Sequence, residues 1–198
     1  MHVIGLIGGI GSGKSEASRR LASMGAEVVD ADKVGHAIYE PGTVGFDRVV
    51  EAFGRQVVGE DGRIDRKRLG ARVFSEPGQL ERLNAIVHPL IRTEIERRLD
   101  ALRARSAELA VVEAAILLEA GWRTVVDEVW VVSASPEVVR ERLASSRGLS
   151  AEEIEARVLK QMPDADRRRA ADVVVENDGS REELEARLRE LVDARIAR

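Results

Sequence analysis

Residues 2–15 read HVIGLIGGIGSGKS, and this stretch decides how the rest of the chain is interpreted. His2 to Ile7 form an apolar run of β-branched and aliphatic side chains, which predicts a buried β-strand. The next residues, Gly8 to Ser15, match the pattern G-x-x-x-x-G-K-[ST] where a strand passes into a helix. Glycines here let backbone N–H groups surround phosphate oxygens, and the positive end of the helix strengthens the attraction. The stretch therefore predicts a phosphate-binding loop.

The residues of this loop have separate expected roles in binding a nucleoside triphosphate. Lys14 is expected to reach the β and γ phosphates, and the Ser15 hydroxyl is the predicted ligand of Mg²⁺. The other nucleotide contacts are expected from the backbone before them, at Gly9, Ile10, Gly11, Ser12 and Gly13. Phosphate binding and metal binding are thus predicted at one helix start.

Four more short apolar runs predict strands. They are Glu27 to Asp30, Leu109 to Glu113, Glu128 to Ser133 and Asp172 to Glu176. Helical patterns separate these runs, so the alternation predicts an α/β fold. We expect a five-stranded parallel sheet with helices on both faces, which makes three layers.

Several helix ends are marked in the sequence. Ser135-Pro136 predicts a cap followed by proline at the first helical position, and capping boxes are predicted at Ser150 to Glu153 and at Ser180 to Glu183. The last helix carries a single apolar stripe that is expected to pack on the sheet, at Leu184, Leu188, Leu191, Val192 and Ile196.

The chain is long enough for one α/β domain with excursions. Residues 31–107 are far longer than the roughly twelve residues that a parallel crossover needs, and their pattern is helical. Residues 143–170 form a second excursion, which is polar and rich in arginine. We therefore predict a nucleotide-binding core at residues 1–30, 108–142 and 171–198, a helical acceptor-binding region at residues 31–107, and a lid at residues 143–170.

Composition excludes several classes of function. The net charge of −4 gives no general reason to expect a nucleic-acid partner. The absence of cysteine excludes disulfides, thiol catalysis and cysteine-bound zinc, and it fits a reducing, cytoplasmic location. The start of the chain is interpreted as a strand rather than a signal peptide, and the apolar run from Leu109 to Leu118 is too short to span a membrane. We expect a monomer or a small homo-oligomer without a membrane partner.

Other phosphate-binding classes begin in the same way as this chain. Asp32 to Gly35 spell D-x-x-G, but they follow the loop too closely to come from a third strand, and no N-K-x-D guanine motif occurs. A regulatory GTPase is therefore not favoured. A kinase that moves the γ-phosphoryl group of ATP to a small-molecule hydroxyl fits better. A nucleoside or nucleotide kinase and a non-catalytic nucleotide-binding regulator remain as alternatives.

Asp30-Ala31-Asp32 lies at the end of the second predicted strand, where α/β folds present ligand-binding groups. A carboxylate here can orient an attacking hydroxyl or accept its proton. The alternative is that one of the two aspartates caps the next helix. We favour Asp32 as the catalytic residue and Asp30 as the cap or as an outer partner of the metal.

The chain resembles the dephospho-CoA kinase family along nearly its whole length. The phosphate loop is generic, whereas the other motifs and their order are more specific. These motifs are Asp30-Ala31-Asp32, Glu40-Pro41-Gly42, Leu83-Asn84 with His88-Pro89, Leu117-Leu118-Glu119, and Ala171-Asp172 with Asn177 and Gly179. The resemblance implies transfer of phosphate from ATP to the ribose 3′-hydroxyl of dephospho-CoA, the last step of CoA synthesis. It also implies a core, a CoA-binding helical region and a lid.

The resemblance also implies roles for individual residues. His88, Pro89 and Glu119 would line the acceptor pocket, although His88 before Pro89 is equally compatible with packing at a helix start. Arg142 would reach the phosphates when the lid closes, and Asn177 and Gly179 would lie near adenine.

Arginines at position 147 and at positions 167–169 lie in the predicted lid. Ser146-Arg147 departs from the usual lid pattern, and Arg147 is the candidate replacement for its arginine. The run Arg167 to Arg169 is interpreted as a solvated helix face rather than a clamp on phosphate.

Overall fold

The computed structural model describes residues 1–196, apart from the side chains of Arg147 and Ile196. The chain divides into two compact units. The first consists of Met1–Asp30 and the chain from Leu99 onward, and the second is Ala31–Arg98. The phosphate loop lies in the first unit.

The first unit is built on one parallel sheet. Its strands are β1 (His2–Gly8), β2 (Glu27–Asp30), β3 (Leu109–Glu113), β4 (Glu128–Ser133) and β5 (Val173–Glu176). They lie in the order β2-β3-β1-β4-β5, and every neighbouring pair is parallel. The predicted five-stranded parallel sheet is confirmed, and its central strand β1 leads directly into the loop.

Helices cover this sheet, as the α/β prediction requires. Those of the first unit are α1 (Lys14–Ser23), α6 (Pro136–Arg147), α7 (Ala151–Val158), α8 (Asp164–Ala170) and α9 (Arg181–Ile196). On one face, alternate residues of β1 and β4 pack against α1 and α9 in a continuous apolar cluster. Four members of the predicted stripe in α9 are buried there, namely Leu184, Leu188, Leu191 and Val192. The side chain of the fifth, Ile196, lies outside the described residues.

The predicted helix caps are present. Ser135 caps α6 with proline at the next position, and Ser150 and Glu153 form the reciprocal capping box of α7. At the start of α9 the Ser180 N–H donates to Glu183 Oε2 at 2.7 Å, and the Glu183 N–H donates to Ser180 Oγ at 3.2 Å. Local sequence therefore determines these helix starts.

The second unit is helical. Its helices are α2 (Ala31–Ala37), α3 (Val44–Phe53), α4 (Arg66–Ser75) and α5 (Gln79–Ala104), whose residues from Leu99 onward count with the first unit. Pro89 lies inside α5 rather than near its beginning, so the interpretation of His88 as a residue at a helix start is wrong. A proline inside a helix costs one backbone hydrogen bond, and α5 nevertheless continues past it to Ala104.

Among residues 1–196, no helix combines the length and the apolar character that crossing a membrane would require.

Candidate active site

The loop between β1 and α1 has the backbone conformation of a phosphate cradle. Gly11 and Gly13 have φ angles of 76° and 95°, which side chains with a Cβ rarely adopt. A tight turn closes the loop, with the Ser12 N–H donating to the Gly9 carbonyl at 3.2 Å. At Gly8 an added Cβ would lie 2.6 Å from Ser12 Oγ, so glycine is needed there for space.

Lys14 and Ser15 meet a carboxylate at the end of β3. Lys14 Nζ donates to Glu113 Oε1 at 2.7 Å, and Ser15 Oγ donates to the same oxygen at 2.8 Å. The Lys14 and Glu113 side chains are only 13% and 12% exposed, so this ion pair is largely shielded from water. The three residues are brought together because β3 lies next to β1 and both strands end at the same edge.

Glu113 is an anion in this environment. Burial favours its neutral form, but the hydrogen bond and the charge of Lys14, with hydrogen bonds from Ser18 and Ser15, hold the pKa of Glu113 below its ordinary value. A carboxylate and a hydroxyl therefore face the same point beside the loop.

The other side of the loop is held by the segment after β5. Asn177 is buried, and its Nδ2 donates to the Ser12 carbonyl at 2.7 Å. Arg142, on α6, donates through Nη2 to the Gly179 carbonyl at 3.5 Å. Its Nη1 is buried and has no hydrogen-bond partner among the described residues, and it lies 3.7 Å from the Cβ position of Gly13. An unsatisfied charged donor thus borders the loop.

The predicted lid also reaches the loop. The Ile10 N–H donates to Gln161 Oε1 at 2.9 Å, and Arg167 lies close by with 6% of its surface exposed. The expectation that residues 167–169 form a solvated face is therefore wrong for Arg167, because α8 packs on β1 and β4 and turns this residue inward. Arg168 pairs with Glu176 and Arg169 pairs with Asp166.

Glu119 lies in an exposed turn after β3. Its charge acts on Arg167: burial lowers the pKa of the Arg167 guanidinium, and Glu119 and Asp164 oppose that change. Glu119 is therefore near enough to Arg167 for their charges to interact. The side chain of Arg147, the other lid candidate, lies outside the described residues.

The remaining predicted site residues lie in the second unit. Asp32 is exposed in the first turn of α2, two residues after Asp30. His88 is half-buried in α5, and burial lowers the pKa of its imidazole. The two helices approach closely, since a Cβ on Gly35 would lie 3.3 Å from Ile91 Cδ1. Asp32 and His88 are each one turn from this contact.

The donors of the first unit fit a magnesium nucleotide. The loop amides and the cations Lys14 and Arg142 suit phosphate oxygens, while the Ser15 hydroxyl and the Glu113 carboxylate are the hard oxygen donors that Mg²⁺ prefers. In the described part of the chain, no group of three or more acidic, histidine or cysteine side chains is arranged to hold a metal ion. Such a sparse set suits Mg²⁺, which commonly keeps waters and substrate phosphates in its coordination shell.

Sequence reasoning missed three residues of this site, namely Glu113, Gln161 and Arg167. Glu113 was counted only as the last residue of a predicted strand. A usable signal was present, because an acid that ends an apolar strand is costly unless a cation or a metal faces it. Gln161 and Arg167 carry no comparable signal in the sequence, since only the packing of α8 brings them to the loop.

Comparisons with known proteins agree with these features. The model of the dephospho-CoA kinase family matches residues 2–183. A dephospho-CoA kinase of Geobacter sulfurreducens is 44% identical over 191 residues, which cover 96% of this chain and 97% of that protein. A crystal structure from Thermus thermophilus has a TM-score of 0.82 at 36% identity, over 98% of this chain and 97% of the other.

A dephospho-CoA kinase structure from Campylobacter jejuni has a TM-score of 0.74 at 23% identity, over 98% of this chain and 97% of the other, and it supports the P-loop kinase fold alone. The predicted fold and the resemblance found in the sequence are both confirmed. The family match runs along most of the sequence, and a relative of the same name is 44% identical to it, so this chain belongs to the dephospho-CoA kinase family.

Proposed function

We propose that this chain transfers the γ-phosphoryl group of ATP to the ribose 3′-hydroxyl of dephospho-CoA, giving CoA and ADP in the last step of CoA synthesis. The observation that carries the proposal is the junction of the loop with β3. There Lys14 and Ser15 share one oxygen of the partly buried anion Glu113, beside a glycine cradle. The substrates in this proposal, ATP and dephospho-CoA, are inferred from membership of the dephospho-CoA kinase family.

The loop and its cations bind the triphosphate. The N–H groups of residues 9–15 surround phosphate oxygens. The Lys14 ammonium leaves the Glu113 carboxylate and binds the β and γ phosphates. Arg142 offers its unsatisfied Nη1 to the same anion. Because charge on the peripheral oxygens must be stabilised during transfer, fixed donors in a shielded site lower the barrier.

Ser15 and Glu113 would hold Mg²⁺. When bound, the ion neutralises charge on the β and γ phosphates. Glu113 has a second task in this proposal, because its carboxylate keeps the Lys14 ammonium near the loop before ATP arrives. Both tasks need the ionised form that the site maintains.

The acceptor side rests on residues of the second unit and on Glu119. Asp32 orients the 3′-hydroxyl and accepts its proton late in transfer, while His88, Pro89 and Glu119 line the acceptor pocket. Asn177 and Gly179 lie near adenine, and Asn177 also fixes the loop through Ser12. In this proposal residues 31–107 bind the acceptor, and residues 143–170 close over ATP to exclude water.

The test is ADP release from Mg·ATP with dephospho-CoA, with nucleoside monophosphates, or with no acceptor. We expect turnover with dephospho-CoA only and a new phosphate on the ribose 3′-oxygen, detected by ³¹P NMR. Turnover on a monophosphate instead would favour the nucleotide-kinase alternative, and binding without turnover would favour the regulator.

Lys14→Ala is the loss-of-function control for this assay, since it removes the cation that contacts both phosphates. Removing one such preorganised donor costs about a hundredfold to a thousandfold in turnover. Lys67→Ala, at an exposed position of α4, is the matched variant and should keep full ATP turnover at saturating acceptor. The absence of cysteine also leads us to propose a cytoplasmic location.

A further inference from the structure

A buried hydroxyl at the end of β4 joins the sheet to helix α8. Ser133 is the last residue of β4, and only 2% of its surface is exposed. Its Oγ donates to Asp164 Oδ2 at 2.7 Å and accepts from Arg168 Nη1 at 3.0 Å. Both partners belong to α8, where Asp164 is the first residue and Arg168 lies one turn further along. Because a buried polar group without partners is costly, this hydroxyl favours one particular position of α8.

A charge pair also ties α8 to the neighbouring strand. Arg168 donates through Nη1 to Glu176 Oε2 at 3.0 Å and through Nη2 to the other carboxylate oxygen. Glu176 is the last residue of β5 and lies opposite Ser133 in register. The Arg168 and Glu176 side chains are 38% and 57% exposed, so water screens their pair, and the contacts of Ser133 are the more shielded ones. We call Ser133, Asp164, Arg168 and Glu176 the α8 anchor.

Helix α8 lies directly against the phosphate loop. An added Cβ at Gly9 would lie 2.9 Å from Arg167 Nη1, and Gln161, three residues before α8, accepts the Ile10 N–H at 2.9 Å. The loop amides bind phosphate best when their orientation is fixed in advance, because no rearrangement is then needed on binding. By fixing α8, the anchor therefore acts on the loop from a distance.

Helix α7 belongs to the same predicted lid but is held differently. It packs on α6, and Ile154 is its buried residue. Gly148, with a φ angle of 62°, ends α6 just before α7. A cavity of about 470 Å³ has residues of α7 and of the loop among its walls, including Ile154, Leu159, Gly9 and Ile10. Space is thus available for α7 to move towards the loop, whereas α8 is already in contact with it.

We propose that Ser133 and Arg168 are positioning residues for the phosphate loop, because they hold α8 beside it, and that closure over ATP moves mainly residues 149–162. Gly148 precedes this moving part, and Pro163, whose ring restricts φ, joins it to the fixed helix. Neither positioning residue touches ATP in this scheme. The inference rests on the proposed function, since ATP must be the ligand of the loop.

Adjacent arginines of α8 provide a matched pair of variants. Arg168→Gln removes the pair with Glu176 and one donor to Ser133. Arg169 pairs with Asp166 inside α8, so Arg169→Gln leaves the anchor intact. Ser133→Ala removes the hydroxyl, and Ser133→Thr keeps a hydroxyl at the same position.

Amide hydrogen exchange of the full chain without ligand tests the anchor. Arg168→Gln and Ser133→Ala should each speed exchange in residues 164–170 by about tenfold or more, the value of one hydrogen bond to a charged group. Ser133→Thr and Arg169→Gln should exchange as the wild type does. Wild-type exchange in Arg168→Gln would reject the anchor, and this partly exposed residue keeps the test available if Ser133→Ala does not fold.

Steady-state kinetics with dephospho-CoA distinguish positioning from direct contact. Arg168→Gln should raise the KM for ATP about threefold or more while kcat stays within about twofold, because bound phosphates restore the order of the loop. Arg169→Gln should change neither constant. A fall in kcat at unchanged KM would contradict the inference, since it would place Arg168 on the transferred phosphoryl group. Faster exchange of α8 with both constants unchanged would show that the anchor does not act on the loop.

Exchange in the presence of Mg·ATP and dephospho-CoA tests which part moves. In the wild type, the slowing should be greater in residues 149–162 than in residues 164–170. Equal or greater slowing in residues 164–170 would reject the assignment of α8 as the fixed helix. If the wild-type chain bound no Mg·ATP in calorimetry, the proposed function would fail, whereas exchange of the free chain would still decide whether the anchor holds α8.

Discussion

At the scale of single residues, one carboxylate oxygen organises the centre of the site. Glu113 Oε1 accepts from both Lys14 and Ser15, although burial alone would favour a neutral acid. The stabilisation of the anion by the two hydrogen-bond donors and by the charge of Lys14 exceeds the free-energy cost of burying it. Lys14 is therefore held at the loop in a defined position, and the carboxylate stays ionised beside the predicted metal ligand.

We predict that Glu113→Gln lowers kcat by about a hundredfold, which is comparable to the loss of one preorganised polar group. The amide removes the negative charge that holds Lys14 and would bind Mg²⁺. The concentration of Mg²⁺ that gives half-maximal rate should rise as well. Steady-state rates measured over a magnesium titration test this prediction. Glu108→Gln is the control, because Glu108 is exposed and directly precedes β3. An unchanged magnesium midpoint would show that Glu113 acts only on Lys14.

We predict a second residue effect at the acid pair that follows β2. Asp32→Ala should lower kcat by about a hundredfold or more while the affinity for ATP stays within about twofold, because Asp32 addresses the acceptor hydroxyl. Asp30→Ala is the direct comparison, since it should lower stability or magnesium affinity more than kcat. The measurements are kcat from ADP release and ATP affinity from calorimetry. If Asp30→Ala gave the larger loss of kcat, the two roles would be exchanged.

At the scale of elements, local sequence determines where the helices begin, whereas tertiary packing determines the position of residues 143–170. The capping box of α7 is a local device, as is the serine cap of α6. Leu159 is 76% exposed and Val158 is 44% exposed, so the end of α7 has apolar surface that is not packed. Such surface is expected of a segment that closes over a ligand.

We predict that amide hydrogen exchange in residues 143–170 slows when both ATP and dephospho-CoA are present. Closure of the lid would make local opening of its short helices rarer, so their backbone N–H groups would exchange more slowly. Mass spectrometry of peptides from this segment, against peptides of the buried strand β4 as reference, gives the comparison. Equal exchange with and without the two substrates would contradict the assignment of this segment as a lid.

A second element prediction concerns acid stability of α5. The hydrogen bond from Arg97, aided by Arg98 and opposed by partial burial, lowers the pKa of Glu94 from 4.5 to about 2. Since the folded pKa lies below the unfolded value, the stabilisation is fully present above pH 4.5 and is lost as the pH falls towards 2. The arginines are 67% and 39% exposed, so water screens the pairs and the effect is small.

Glu94→Gln should therefore lower the free energy of unfolding at pH 7 by about 0.5 kcal/mol, as for exposed helical ion pairs. Urea unfolding of the variant and the wild type across the acid range measures the difference. The difference should shrink towards zero near pH 2, and 1 M salt should reduce it at pH 7. A difference that stays constant with pH would mean that Glu94 contributes through packing.

At the scale of the whole molecule, the proposed nucleotide site and the helical unit are formed by different segments of the sequence. The first unit contains the sheet, the loop and both tryptophans, Trp122 and Trp130, which are 3% and 0% exposed. Their fluorescence therefore reports the unfolding of the unit that contains the loop.

We predict that Mg·ATP raises the midpoint of thermal unfolding followed by tryptophan fluorescence. A ligand at a hundred times its Kd stabilises the folded state by about 2.7 kcal/mol. Lys14→Ala should abolish most of this shift, and adenosine, which lacks phosphates, should produce little of it. Equal shifts for Lys14→Ala and the wild type would place the nucleotide away from the loop.

The extent of prediction from sequence differs from feature to feature. The phosphate loop, the strands, the capping boxes and the stripe of α9 follow from short-range patterns, because glycine conformations, alternation of apolar residues and helix capping are local. The contact of Lys14 and Ser15 with Glu113 was not predicted, because it joins residues about a hundred positions apart in the sequence.

By itself, then, the sequence determined the parallel α/β fold, the glycine loop between β1 and α1, and membership of a kinase family. Only the tertiary structure decided which distant side chains reach that loop: Glu113 through the pairing of β1 with β3, Asn177 through the end of β5, and Arg167 through the packing of α8. The physical reason is that local patterns fix backbone conformation, whereas the burial and pairing of a charge depend on which strands and helices become neighbours.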